Sequence, residues 1–108
     1  MTDFELNKAI SRALGFTKLK RLYASNTKIK TNNGIYDYCN NWNDLMPLVV
    51  EHEIQLVSSV CYIDENRIVE FKGEYWEEGL ALLFKSNWSE NPQRALAECL
   101  LKVLQEKQ

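Results

Sequence analysis

The chain is short of the residues from which reactive centres are built. Its 108 residues include one histidine, three cysteines, four glycines and two prolines. The glycines, Gly15, Gly34, Gly73 and Gly79, are isolated, so neither a phosphate-cradling loop nor a dinucleotide fingerprint can be assembled. Cys39, Cys61 and Cys99 are 22 and 38 positions apart, which excludes the close pairs of zinc and dithiol sites and reads as small hydrophobes for the core. No metal and no cofactor are expected. No apolar run approaches the roughly 20 residues of a membrane-spanning helix, and the start, Met1-Thr2-Asp3-Phe4-Glu5, is acidic and amphipathic, unlike a signal peptide. A cytoplasmic protein without membrane contact is expected. No Pro/Gly-rich linker or repeat divides the sequence, so residues 1–108 read as a single domain.

What is present is ordinary for a folded protein: 45 % hydrophobic and 26 % charged residues. Its mass of 12.6 kDa allows about two-thirds of the chain's surface to be buried. The formal charge of -2 hides a polarity. Lys8, Arg12, Lys18, Lys20, Arg21, Lys28 and Lys30 face only Asp3 and Glu5 in the first thirty residues, a balance of +5. Between residues 64 and 78, Asp64, Glu65, Glu70, Glu74, Glu77 and Glu78 oppose only Arg67 and Lys72, a balance of -4. Such separation favours oriented encounters with charged partners or with a second copy.

Periodicity supplies the elements. Thr2 and Glu5 have capping-box spacing, and Leu6, Ala9, Ile10, Ala13 and Leu14 recur as on a helix over 3–14, stopped by Gly15. Asn33-Gly34 between Lys28–Lys30 and Ile35–Tyr38 predicts a hairpin with a type I′ turn. A short helix capped by Asn43 would place Pro47 in its first turn, where a missing amide costs little. Ile54 to Ile63 alternates as a strand, Asp64-Glu65-Asn66 turns, and Arg67–Lys72 returns antiparallel, with Ile68 and Glu70 on one face and Val69 and Phe71 on the other. The run Leu80-Ala81-Leu82-Leu83-Phe84 within 74–88 is assigned to a buried third strand. Asn91 caps a last helix over 92–106, with Pro92 at its first position and a stripe of Ala95, Leu96, Cys99, Leu100, Val103 and Leu104. The fold class is α+β: an antiparallel sheet packed with two long terminal helices and a short central helix, α/β/α sandwich-like.

Three blocks carry a resemblance. Thr2-Asp3-Phe4-Glu5-Leu6-Asn7-Lys8, Asp37-Tyr38-Cys39-Asn40-Asn41 with Trp42 to Ile54, and Glu90-Asn91-Pro92-Gln93-Arg94-Ala95 together resemble the NinX-like proteins of lambdoid phages, themselves similar to a broader group of phage α/β/α sandwich domains. About half of the chain is covered, and Ile63 to Trp88 departs from the pattern. The resemblance implies a phage or prophage accessory protein in the cytoplasm of a bacterial host, with an α/β sandwich and no catalytic residues. The same blocks have a plain structural reading as helix caps and anchors of the core.

Catalysis finds little material here. His52 sits between Glu51 and Glu53, where an imidazole suits a helix carboxyl end, and the clustered carboxylates read as a solvated face before they read as a hydrolase pair. The chain is therefore expected to be no enzyme. It is expected to bind a host or phage protein, modulating host machinery or host defence, with Asp64, Glu65, Glu70, Glu74, Glu77 and Glu78 as the acidic partner-binding segment. The alternative is nucleic-acid binding through Lys18, Lys20, Arg21, Lys28 and Lys30, with Tyr23, Tyr36 or Tyr38 as stacking surfaces. A ligand pocket walled by Trp42, Trp76 and Trp88 is a third reading, and a homodimer joining the basic third to the acidic segment is a fourth.

Overall fold

The computed structural model describes residues 1–77 and 81–106. In chain order these form α1 (Asp3–Ala13), β1 (Lys20–Arg21), β2 (Ile29–Thr31), β3 (Gly34–Tyr36), α2 (Trp42–Glu51), β4 (Gln55–Ile63), β5 (Asn66–Glu77), β6 (Ala81–Lys85) and α3 (Pro92–Glu106). The class is α+β, with helices flanking the strands as in a sandwich. The strands divide into two antiparallel sheets, β1-β2-β3 and β4-β5-β6, where one sheet was expected. The chain leaves β3 through Asp37–Asn41 directly into α2, so β3 and β4 never become neighbours.

α3 is the centre of the packing. Its expected stripe is buried, and so are Gln93, Ala97 and Leu101, which leaves few exposed positions along its length. One side receives Leu6 and Ile10 of α1, another meets Leu45 and Val49 of α2, and a third lies on β5. Each large aliphatic side chain fully buried there contributes about 1.5–3 kcal/mol of transfer free energy. At its start, the Asn91 side chain accepts from the amides of Gln93 and Arg94 at 3.0 and 3.2 Å. Thr2 caps α1 in the same way, its hydroxyl accepting from the Glu5 amide at 3.1 Å.

Two local expectations fail for identifiable reasons. α2 is capped by Asn41, whose side chain accepts from the Asn43 amide at 3.0 Å, so Pro47 lies inside the helix and not in its first turn. The entry is fixed earlier in the chain: the Asn41 amide donates to the Asp37 carbonyl at 2.8 Å, and the Asp37 amide donates to the Asp44 carboxylate at 2.9 Å. These bonds offset the hydrogen bond the proline forgoes. The first hairpin turns on Asn32–Asn33, one residue earlier than expected, since Thr31 pairs with Gly34. Neither asparagine has a positive φ; Gly34 has one, at 136°. Thr31 sets this register, its hydroxyl accepting from the Asn33 amide and donating to the Gly34 carbonyl, both at 3.0 Å.

The left-handed two-residue turn sits instead at the tip of β4–β5. Pairing runs unbroken from Gln55↔Glu74 to Ile63↔Asn66, leaving Asp64 and Glu65 as the loop with φ of 50° and 66°, as a type I′ turn requires. A glutamate in that region carries a steric penalty of roughly 1–2 kcal/mol that glycine escapes. Glu65→Gly is therefore expected to raise stability by about 1 kcal/mol; a lower urea midpoint for the variant would contradict this.

Nine paired residues make a hairpin about 30 Å long, longer than the helix beneath it can cover. The radius of gyration, 14.8 Å, exceeds the roughly 13 Å of a compact chain of this size, and the longest dimension is 46 Å. The third strand expected from the apolar run is present as β6 over Ala81–Lys85; Leu80 lies outside the described residues.

Candidate protein-binding face

β5 separates a covered face from an open one. Gly73 lies against α3: a Cβ there would sit 2.7 Å from the Cys99 Cβ and 3.0 Å from the Ala95 carbonyl oxygen. Tyr75 stacks on Phe84 with centroids 6.0 Å apart, and both pack on the core. By register, Leu56, Ser58, Val60 and Tyr62 share this face, yet all four are solvent-exposed. The opposite face presents Val57, Ser59 and Cys61 with Ile68, Glu70, Lys72, Glu74 and Trp76, and among the described residues no helix packs on it.

At its root this open face carries a charged pair between two tryptophans. Glu74, only 8 % exposed, meets the Lys72 ammonium at 2.9 Å and accepts from the Trp76 indole N–H at 3.1 Å. The Lys72 ammonium in turn lies 4.8 Å from the centroid of the Trp88 ring. Lys72, Trp76 and Lys85 hold the Glu74 carboxyl below its ordinary value, chiefly through the Lys72 contact and against the opposing effect of burial. Trp76 and Trp88 remain 45 % and 44 % exposed. The loop after β6 puts Trp88 there because Ser89 pairs with Phe71 through reciprocal amide–carbonyl bonds of 2.6 and 2.8 Å. Trp42 stands apart on α2, where it lines an open depression with Asn43, Met46, Pro47 and Val50. The three tryptophans thus form no common pocket.

The acidic residues named from the sequence do not converge. Asp64 and Glu65 occupy the hairpin tip, Glu70 lies midway on the open face, Glu74 at its root and Glu77 at the end of β5; Glu78 lies outside the described residues. With about 3.3 Å per residue, tip and root are some 30 Å apart.

The basic residues do gather. Lys20 is directly opposite Lys30 in the β1–β2 ladder, and Lys18 and Lys28 lie two positions away on the same two segments. All four are exposed, and none forms an ion pair with a described residue. Arg21, also exposed, lies over the Phe4 ring, 4.1 Å from its centroid. Tyr36 is held between Phe16 and Tyr38, at 5.4 and 5.6 Å, and its hydroxyl is engaged by Asn33, so both ring faces are occupied. Tyr38 is buried, and burial raises its hydroxyl to about 12. Tyr23 is fully exposed.

Residues from the segments 2–8, 37–41 and 90–95 are joined by one hydrogen-bond network. The Asn7 side chain donates to the Asp37 carboxylate at 2.8 Å and to the Thr27 carbonyl at 2.9 Å, and accepts from the Cys39 amide at 3.2 Å. Gln93 donates to the Tyr38 carbonyl at 3.0 Å, Asn40 donates to Asp3 at 3.2 Å, and Arg94 reaches Asp3, Glu98 and the Met1 carbonyl. These contacts join α1, the 37–41 loop and the start of α3. Asn7 and Ser11 lie on the buried face of α1, where apolar spacing gives no sign of them. Among the described residues no buried side-chain nitrogen or oxygen lacks a partner, so the network is saturated and serves as a clamp.

Among the described residues no cluster of histidine, cysteine and carboxylate suits a metal, and no helix is long and apolar enough to cross a membrane. His52 forms the carboxyl cap of α2. Cys39 and Cys99 are buried as expected, and burial raises both thiols to about 12. Cys61 is the exception, exposed because β4 has water on both faces. A disulfide-exchange reagent at pH 8 is expected to modify one thiol per native chain quickly and all three in denaturant; equal rates at the three would contradict this burial. No family model matches the chain, and neither a curated protein nor a solved structure matches it.

Proposed function

We propose that this protein is a non-enzymatic accessory protein of a phage or prophage, acting in the bacterial cytoplasm by binding a host or phage protein with the open face of β4–β6. The observation that carries the reading is the pair of half-exposed tryptophans, Trp76 and Trp88, flanking the Lys72–Glu74 ion pair. Tryptophans at the centre of a patch are the residues on which protein interfaces concentrate their energy. The ion pair fixes the ring positions before any partner arrives, which lowers the ordering cost of association. Glu70 and the tip carboxylates extend the acidic character along the same hairpin, so the fitting partner offers cations around an apolar socket. The NinX resemblance supplies the setting, in which diversion of host machinery or blunting of a host defence is the biological outcome.

The test is retention of a stoichiometric host protein by the immobilised chain, with its dissociation constant compared against a Trp76→Ala/Trp88→Ala variant. Loss of two such anchors is expected to weaken binding at least 30-fold. A partner held equally well by the double variant would refute the assignment of this face, and the absence of any partner would refute the function.

The Lys20–Lys30 juxtaposition favours a second reading, nucleic-acid binding through the outer face of β1–β2. Like charges directly opposite one another destabilise a ladder, and an approaching phosphate backbone relieves that repulsion. Lys20→Gln/Lys30→Gln is expected to abolish low-salt binding of a labelled single strand; no binding by the unaltered chain at micromolar concentration would dispose of the reading.

A further inference from the structure

The outer edge of β4 is an unguarded strand edge. Edge strands are normally guarded by a charge, a proline, a bulge or a covering element. β4, Gln55-Leu56-Val57-Ser58-Ser59-Val60-Cys61-Tyr62-Ile63, has no charge and no proline in nine residues. Its pairing with β5 is free of bulges, the one register shift of the sheet falling between β5 and β6. No element lies beyond it in the strand order β4-β5-β6. Leu56, Val60, Tyr62 and Ile63 are 44 %, 46 %, 70 % and 55 % exposed.

We infer that this edge pairs antiparallel with the same edge of a second copy, about a two-fold axis through Ser59. The strand is its own complement in that register. Leu56 falls opposite Tyr62 of the other copy on one face, Val57 falls opposite Cys61 on the other, and each match occurs twice. Aliphatic–aromatic and β-branched pairs of this kind are the units that stabilise neighbouring strands. Only the register centred on Ser59 pairs all nine uncharged residues and keeps Asp64 and Glu65 outside the ladder, where shifts toward the tip would draw those carboxylates in. The strip is about 30 Å long and covered by side chains on both faces, on the order of the 1,000 Å² at which specific interfaces begin. A reversible, concentration-dependent dimer is the consequence. It is distinct from an association of the basic and acidic segments, which would dissolve in salt, whereas backbone pairing and apolar burial persist.

This inference goes beyond the partner-binding reading and does not depend on it. Antiparallel pairing makes one six-stranded sheet and leaves both open faces on the same side, so each dimer would present two Trp76–Trp88 patches together.

Sedimentation over a hundredfold range of concentration, at low and high salt, is the first test, and a rise toward twice 12.6 kDa in both salts is expected. A monomer throughout overturns the inference, as does a dimer that dissociates in salt. Ser59→Lys places two ammonium groups face to face on the axis and is expected to give a monomer with an unchanged circular dichroism spectrum; a surviving dimer overturns the inference. If that variant fails to fold, Ser59→Cys in a Cys61→Ser background decides the matter with copper–phenanthroline as oxidant. The two Cα atoms on the axis are then roughly 4.5–5.5 Å apart, within disulfide reach, and covalent dimer is expected. Two native Cys61 residues would be separated by four strand positions, about 13 Å, and are expected not to cross-link. Failure of the Ser59→Cys cross-link, or an efficient Cys61 cross-link in the unaltered chain, overturns the register.

Discussion

Asn7→Ala is expected to lower the unfolding free energy by about 3 kcal/mol, although it removes only a small polar side chain from a helix in which alanine is intrinsically favoured. The amide of Asn7 donates to Asp37 and Thr27 and accepts from Cys39, and its removal strands a partly buried backbone carbonyl and a buried backbone amide together. Asp37 keeps bonds from the Thr27 hydroxyl at 2.7 Å and from Asn40, so the loss is substantial without being total. Asn7→Asp sharpens the test. It sets two carboxylates where an amide donated at 2.8 Å, and such a pair must share a proton. Its folded proton affinity is thereby raised above the unfolded value, so the variant gains stability as pH falls and loses it as pH rises. Urea unfolding of both variants at two pH values decides the point. An Asn7→Ala protein within 1 kcal/mol of the unaltered chain would mean that the clamp is ornamental.

Gly73→Ala is expected to cost about 3 kcal/mol, the upper part of the range for overpacking. A methyl group there meets the Cβ of Cys99 at 2.7 Å, the Ala95 carbonyl oxygen at 3.0 Å and the Leu96 Cα at 3.3 Å. Two of those three are backbone atoms of α3, which cannot rotate aside as a side-chain tip would, so the helix itself must lift from β5. The melting temperature is expected to fall by more than about 10 °C. An alanine variant that melts with the parent would show that α3 rides further from the sheet than these contacts allow.

Most helices and strands were legible because their signals are local. The Asn91-Pro92 start describes bonds made within a few residues, and the alternation of Ile54–Ile63 is a pattern carried within one segment. The Asn41 cap was not legible, because what selects it over Asn43 is a pair of bonds to Asp37, which belongs to a different turn. The Asn32–Asn33 turn is hidden from local sequence for a similar reason: Asn32 is held by Thr17, fifteen residues earlier, through bonds of 2.9 Å in both directions. Burial was the least legible property. Period-2 alternation in β4 suggests one covered face, but α3 reaches only the root of the hairpin, so Val60 and Tyr62 stay in water and Cys61 is a surface thiol.

The candidate site divides along the same line. The lysines could be gathered from sequence because β1 and β2 are near neighbours in the chain and antiparallel pairing brings their basic positions together. The Trp76–Trp88 patch could not, since it depends on Ser89 returning to pair with Phe71. The acidic segment looked like a patch only because a sequence shows adjacency along the chain, and a hairpin stretches that adjacency over its full length.

The central position of α3 also bears on how the protein comes into being. Every described strand precedes this helix in translation, yet α1, α2 and β5 all pack against it. An emerging polypeptide thus carries these apolar surfaces without their common partner until α3 is synthesised, and native closure joins groups 91 residues apart, such as Asp3 and Arg94. Contacts of such long sequence separation slow folding. Ribosome-bound fragments lacking this segment would be the forms most exposed to chaperones and proteases.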